Sequence, residues 1–305
     1  MEDKKNILSK PFFAVATALF CWTVWGTAFP LIKKCYELFS INGVASPLLF
    51  GGLRFFLAGI LLLSGTAIVN RQLPIPSAEN FKIVLLLGSV QTGLVYFFQY
   101  IALNYCSGTN GSIVNALQPL FMTVFAHFLF KNDRITARKI IGIVLGFSGV
   151  LVCLVGAGSV SFSFMGEGFL LISAILFSLG SNLSKIAAGK MSPVIISGWN
   201  LLIGGLELVI IGLCLGGRIT NGGVLGFSLF GTLALISAVC FLLWTADCKA
   251  NSVGKLAPFQ FVNPITGAVL SALLLGENAF QPKNIIALVL VSLGIIITTA
   301  GKSHK

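Results

Sequence analysis

Apolar runs of about twenty residues, broken by short polar patches, recur from one end of this 305-residue chain to the other. A run of that length spans a hydrocarbon core of about 30 Å when helical. Charge is too scarce for a water-facing surface: 10% of residues are charged, where a soluble domain carries about 25%. The chain therefore reads as an all-α integral membrane protein. Its 34 glycines and 26 phenylalanines fit that class, since glycine lets spanning backbones approach and phenylalanine faces lipid at little cost.

Ten transmembrane helices are expected, near 12–32, 46–69, 81–103, 111–130, 139–156, 166–187, 193–216, 226–247, 256–275 and 284–301. The connections are too short for a soluble domain. Lys4, Lys5 and Lys10 before the first apolar run resemble a signal peptide, but the run is a full span and no small-residue cleavage site precedes a soluble domain, so it reads as a retained helix. With a cytoplasmic N-terminus, Lys33, Lys34, Arg218 and Lys283 are the outer cations and Arg54 lies within the second span. The remaining fifteen of the 20 Lys and Arg face the cytoplasm, which places both termini there by the positive-inside rule. The same rule accounts for the net charge of +11 without nucleic acid. The seven cysteines contain no C-x-x-C pair, so neither a zinc site nor a disulfide framework is expected, although a bridge between Cys35 and Cys106 stays open.

The two halves repeat each other. Pro119 set opposite Pro264, an offset of 145, holds register without gaps for more than 50 residues: Ser107 meets Ser252, Val124 meets Val269, Ile140-Ile141 meet Ile285-Ile286, and Gly149 meets Gly294. At an offset of 146, Ser46-Pro47 meet Ser192-Pro193, Gly52 meets Gly198 and Gly59 meets Gly205. The expected division is 1–157 and 158–305, five spans each. Five is odd, so the second half enters the membrane from the opposite side, which makes an inverted-topology repeat. Secondary transporters use this architecture for inward-open and outward-open states. A duplication kept only for stability would leave the same trace.

Further landmarks sit on these spans. Leu242-Leu243-Trp244, Asn263-Pro264 and Leu273-Leu274-Leu275-Gly276-Glu277 resemble the second EamA domain of the drug/metabolite transporter superfamily, and Trp25-Gly26 and Arg54 resemble its first. The resemblance runs from about residue 12 to 301. It implies a ten-helix transporter of amino acids, other metabolites, nucleotide sugars or toxic compounds, often outward, with a central cavity between the halves and the seventh helix peripheral to it. One departure is that Lys131 and Asn132 stand where the first domain often carries a Gly-Glu pair like Gly276-Glu277.

Intramembrane polar residues are costly to expose to lipid, so they mark candidate sites. Thr92, Tyr96 and Gln99 recur as one helical stripe, with repeat partners Ser237, Phe241 and Trp244. Asn115 and Gln118 precede Pro119, and their partners Gln260 and Asn263 precede Pro264. Amides donate and accept, which suits a neutral or zwitterionic solute. Trp25, Tyr96 and Trp244 would wall it, and Asn182 reaches the same region. Interhelical hydrogen bonding that packs the bundle is the alternative for the amides, and packing or an interfacial belt is the favoured alternative for the aromatics. Glu207 and His127 are candidates for proton coupling, each with a structural alternative, while Arg54 pairs with Glu207 or with backbone carbonyls.

The expected function is a secondary transporter moving a small metabolite, an amino acid or similar solute, with export the implied direction; a channel or facilitative pore is the alternative. Filter-like loops and charged rings are missing from the sequence. So are a Walker loop, metal-ligand spacing and paired carboxylates, so no cofactor, metal or enzymatic activity is expected. The partners are a small-molecule solute and the lipid bilayer, with a homodimer left open.

Overall fold

The computed structural model describes residues 11–106, 117–130, 134–155, 163–251 and 281–299, with positions 111, 114, 115, 256, 259, 260, 262, 263, 266 and 270. Those residues are helical, with no strand among them. The helices are α1 (Pro11–Gly26), α2 (Ala28–Leu38), α3 (Ala45–Asn70), α4 (Ala78–Leu87), α5 (Val95–Ala102), α6 (Gln118–Leu129), α7 (Ala137–Val155), α8 (Phe169–Ala188), α9 (Pro193–Cys214), α10 (Gly223–Ala250) and α11 (Pro282–Thr299). Two π-helical turns, Gly88–Leu94 and Phe164–Gly168, lead into α5 and α8.

Six continuous stretches among the described residues are long and apolar enough to cross a membrane: Phe12–Leu38, Ala45–Asn70, Ala78–Ala102, Phe164–Ala188, Pro193–Cys214 and Gly223–Ala250. They match six expected spans. The expected spans 111–130, 139–156 and 284–301 are represented by α6, α7 and α11. The span 256–275 lies outside the described residues apart from isolated positions, as do Lys131, Asn132, Pro264 and Gly276-Glu277. Large apolar side chains face outward, Val224 at 87% exposure and Ile68 at 79% among them. In water such a surface would drive association; in a bilayer it is the lipid contact. The chain is a multi-pass membrane protein.

The first span is longer than its apolar run suggests and is interrupted. Pro30 has no N–H and its ring crowds the carbonyl four residues back, so the helix breaks at Thr27, whose hydroxyl donates to the Val24 carbonyl at 2.7 Å. The second segment then carries Lys33 and Lys34 on its last turns. Lys33 donates to the Cys106 carbonyl at 2.7 Å, and Lys34 pairs with Glu37. Cys35 and Cys106 are both buried, and no disulfide joins them.

The closest helix pairs are α3 with α9 and α7 with α11. A Cβ at Gly52 would stand 2.8 Å from the Gly205 carbonyl oxygen, and one at Gly59 would stand 2.9 Å from that of Gly198. Glycine is required because backbone meets backbone. In the repeat register Gly52 matches Gly198 and Gly59 matches Gly205, so each contact is the image of the other with partners exchanged. The second pair behaves alike: Gly149 abuts the Ala287 carbonyl and Gly294 abuts that of Gly142, and residues 142 and 149 match 287 and 294.

Gly52→Leu should therefore force the α3–α9 crossing apart and lower stability by about 3 kcal/mol, at the upper end of overpacking costs. Gly231→Leu, with open space around it, should leave it nearly unchanged. Thermal unfolding of both variants in detergent checks the pair.

Candidate solute-binding site

Indoles from α1 and α10 meet in the interior. The Trp22 ring centroid lies 4.8 Å from that of Trp25 and 5.0 Å from that of Trp244. Trp25 continues onto Phe241 at 5.4 Å and Phe177 of α8 at 6.5 Å. All three tryptophans are buried, and none of their indole N–H groups has a hydrogen-bond partner.

Amides close on the same region from other elements. The Gln118 amide N–H donates to Asn115 Oδ1 at 3.1 Å, and the Gln118 carbonyl accepts from Ser178 of α8 at 2.6 Å. Met122, one turn along α6, is a junction: its carbonyl accepts from Asn182 Nδ2 at 3.1 Å, and its sulfur from Gln260 Nε2 at 3.6 Å. The Asn263 carbonyl packs directly against Gly26 beside Trp25. Side-chain oxygens of Asn182, Gln260 and Asn263 are buried and without a hydrogen-bond partner. An unpaired buried polar atom costs about 1–3 kcal/mol, so native interiors hold few of them. Here three unpaired donors and three unpaired acceptors sit on α1, α8, α10 and at positions 260 and 263.

Seven expected site residues thus converge: Trp25, Asn115, Gln118, Asn182, Trp244, Gln260 and Asn263. The stripe of Thr92, Tyr96 and Gln99 does not hold together. Thr92 lies in the π-helical turn and donates to Asn200 Oδ1 of α9 at 2.7 Å. Tyr96 stacks on Phe55 at 4.0 Å between ring centroids, and Gln99 is half-buried. The wider turn changes the angular spacing that a regular helix would impose. Glu207 is partly exposed and accepts from Ser89 Oγ at 2.5 Å. His127 accepts from the Ile135 backbone N–H at 2.9 Å, tying the end of α6 to the segment leading into α7.

Arg54 is buried and bonds to hydroxyls and a carbonyl rather than to Glu207. Nε donates to the Leu233 carbonyl at 3.2 Å and to Ser237 Oγ at 3.1 Å, Nη2 to the same hydroxyl at 2.8 Å, and Nη1 to Tyr100 Oη at 2.9 Å. Its repeat partner is Asn200, and Ser237 matches Thr92. Arg54–Ser237 and Asn200–Thr92 are therefore images of each other. Asn200 also donates to Gln91 Oε1 at 3.0 Å, which accepts from Ser184 at 2.6 Å.

Sequence reading passed over Trp22, Gln91, Asn200 and Asp247. Trp22 could have been found by its i, i+3 spacing to Trp25 and Asn200 by its match to Arg54. Asp247 falls at the boundary of the expected span 226–247, where an acidic residue reads as solvent-facing; it is fully buried.

The model of the EamA-like transporter family matches residues 12–155 and 164–300. The chain is 28% identical to the uncharacterized inner membrane transporter YedA of Escherichia coli (strain K12), covering 96% of this chain and 92% of that one. It is 26% identical to the uncharacterized transporter YvbV of Bacillus subtilis (strain 168), covering 92% and 90%. A WAT1-related chloroplastic protein of Arabidopsis thaliana is 28% identical over 90% of this chain, which spans 64% of that protein's length. A solved crystal structure superposes with a TM-score of 0.67 at 17% identity, covering 94% of this chain and 95% of the other.

Tyr100→Phe removes the acceptor of Arg54 Nη1 and leaves a buried donor unpaired. The expected loss is about 1–3 kcal/mol, read as a lowered unfolding midpoint against the wild-type protein.

Proposed function

The chain belongs to the EamA-like transporter family, and from that premise we propose that it is a secondary transporter carrying a small metabolite, an amino acid or similar solute, by alternating access. The observation that carries this reading is the cluster of unpaired buried indole N–H groups and amide oxygens described above. Indole N–H groups donate only and amide oxygens accept only. A zwitterion matches both: its carboxylate accepts from Trp22, Trp25 and Trp244, and its ammonium donates to Asn182, Gln260 and Asn263. Phe177 and Phe241 give apolar contact to the solute body.

The chain is read as ten spans in two inverted repeats, 1–157 and 158–305, with both termini cytoplasmic and the bacterial inner membrane as its location. Exchange of partners at Gly52–Gly205 and Gly59–Gly198, and again at Arg54–Ser237 and Asn200–Thr92, supports a pseudo-two-fold axis between the repeats. Two near-equivalent packings then allow the solute cluster to face either side in turn. Export is the proposed direction, following the family resemblance.

Purified protein in liposomes should show saturable counterflow of a radiolabelled mixture of neutral L-amino acids. Replacing Gln118 and Asn263 together by Leu should abolish it while the protein still elutes as a folded species. Unsaturable conductance would establish a pore instead, and unchanged kinetics in the double variant would remove the amides from the site.

A further inference from the structure

One turn beyond Trp244 on α10, Asp247 has no exposed surface, and neither carboxylate oxygen has a hydrogen-bond partner. It is the only buried Asp or Glu side chain among the described residues with both oxygens unpaired. Among the described residues, Lys249, Lys185 and Arg54 are engaged elsewhere. Lys249 Nζ donates to the Met191 carbonyl at 3.2 Å. Lys185 Nζ stands over the Phe130 ring at 5.0 Å. Arg54 is bound to Ser237, ten residues back on α10 and so about 15 Å away along the axis. Two buried thiols accompany it, Cys248 beside it in the chain and Cys21 of α1. α1 packs on α10 through Trp22, whose ring lies 5.0 Å from that of Trp244 one turn from Asp247, and through Cys21 on the Cys240 carbonyl at 3.9 Å. In the repeat register position 247 matches Ala102, so only one half carries this carboxyl.

An ionised carboxylate in such a place would lack both water and a counter-charge, and burial disfavours the charged form. A neutral acid fits. We propose that Asp247 is a proton-binding site of the transport cycle, resting on the transporter reading above. The carboxyl holds its proton while Trp244 of α10, one turn away, packs against Trp22 of α1. Opening of that contact to water breaks the O–H bond: the proton passes to solvent, the electron pair stays on the carboxylate, and the reverse step reloads the site. Protonation then accompanies closure of α1 on α10, which couples the conformational change to the proton gradient.

Infrared difference spectroscopy of purified protein in lipid tests the proton site without transport. The carbonyl stretch of a protonated carboxyl should be present at neutral pH in wild type and lost in Asp247→Asn. A wild-type spectrum unchanged by the substitution overturns the proposal. Asp247→Ala, the residue found at matching position 102, repeats the test should the Asn variant not fold. In liposomes, counterflow of the labelled neutral L-amino acids needs no net proton movement. The variant should keep counterflow and lose the response to an imposed pH gradient. Retention of both, or loss of both with the fold intact, overturns the coupling role. Absence of counterflow in wild type would overturn the transporter reading instead, with the infrared result standing separately.

Discussion

Where α3 crosses α9 the two backbones touch with no side chain between them, and much of the remaining architecture follows from that contact. In lipid there is no gain from burying apolar surface against another helix, because the acyl chains are equally apolar. Attraction comes from close packing, and close packing needs small residues. Gly52, Gly59, Gly198 and Gly205 supply it at one crossing, and Gly149 and Gly294 at the α7–α11 crossing. Because the contacts exchange under the repeat register, each crossing is a joint between the two halves rather than within one.

The joint brings polar groups from opposite halves within bonding distance. Arg54 of α3 reaches Ser237 of α10, and Asn200 of α9 reaches Thr92. A buried guanidinium is costly without partners, and here two hydroxyls and a carbonyl accept from it. These bonds lie on the matched positions of each half, so they hold the halves in register. The tryptophan and amide cluster keeps unpaired donors and acceptors instead. The first set of polar groups is saturated within the protein, and the second retains capacity for a solute. That contrast separates structural polarity from a candidate site better than residue type does.

Much of this was legible in the chain itself. Six of the expected spans are long apolar helices, and the glycines aligned in the repeat are those that meet at the crossings. The paired amides and Trp25 and Trp244 also lie together. Thr92 separated from Tyr96 because a π-helical turn shifts the face by roughly 100° for each added residue, which no hydropathy pattern records. Pro30 broke the first span, which runs on to Leu38. Arg54 bonds to Tyr100, Ser237 and the Leu233 carbonyl, while Glu207 accepts from Ser89.

Sequence alone determined that this chain lives in a membrane and where six of its spans fall. It could do so because lipid imposes a local rule: each helix satisfies its own backbone, so hydropathy along the chain reads out the spans. Only the tertiary structure decided which polar side chains found partners and which did not. Pairing depends on the rotation of each helix about its axis and on contacts between residues as far apart as 108 and 183 positions in sequence, set by packing between backbones. Asp247 is the plain case: at the margin of a span it reads as a surface acid, and in the folded bundle it is fully buried.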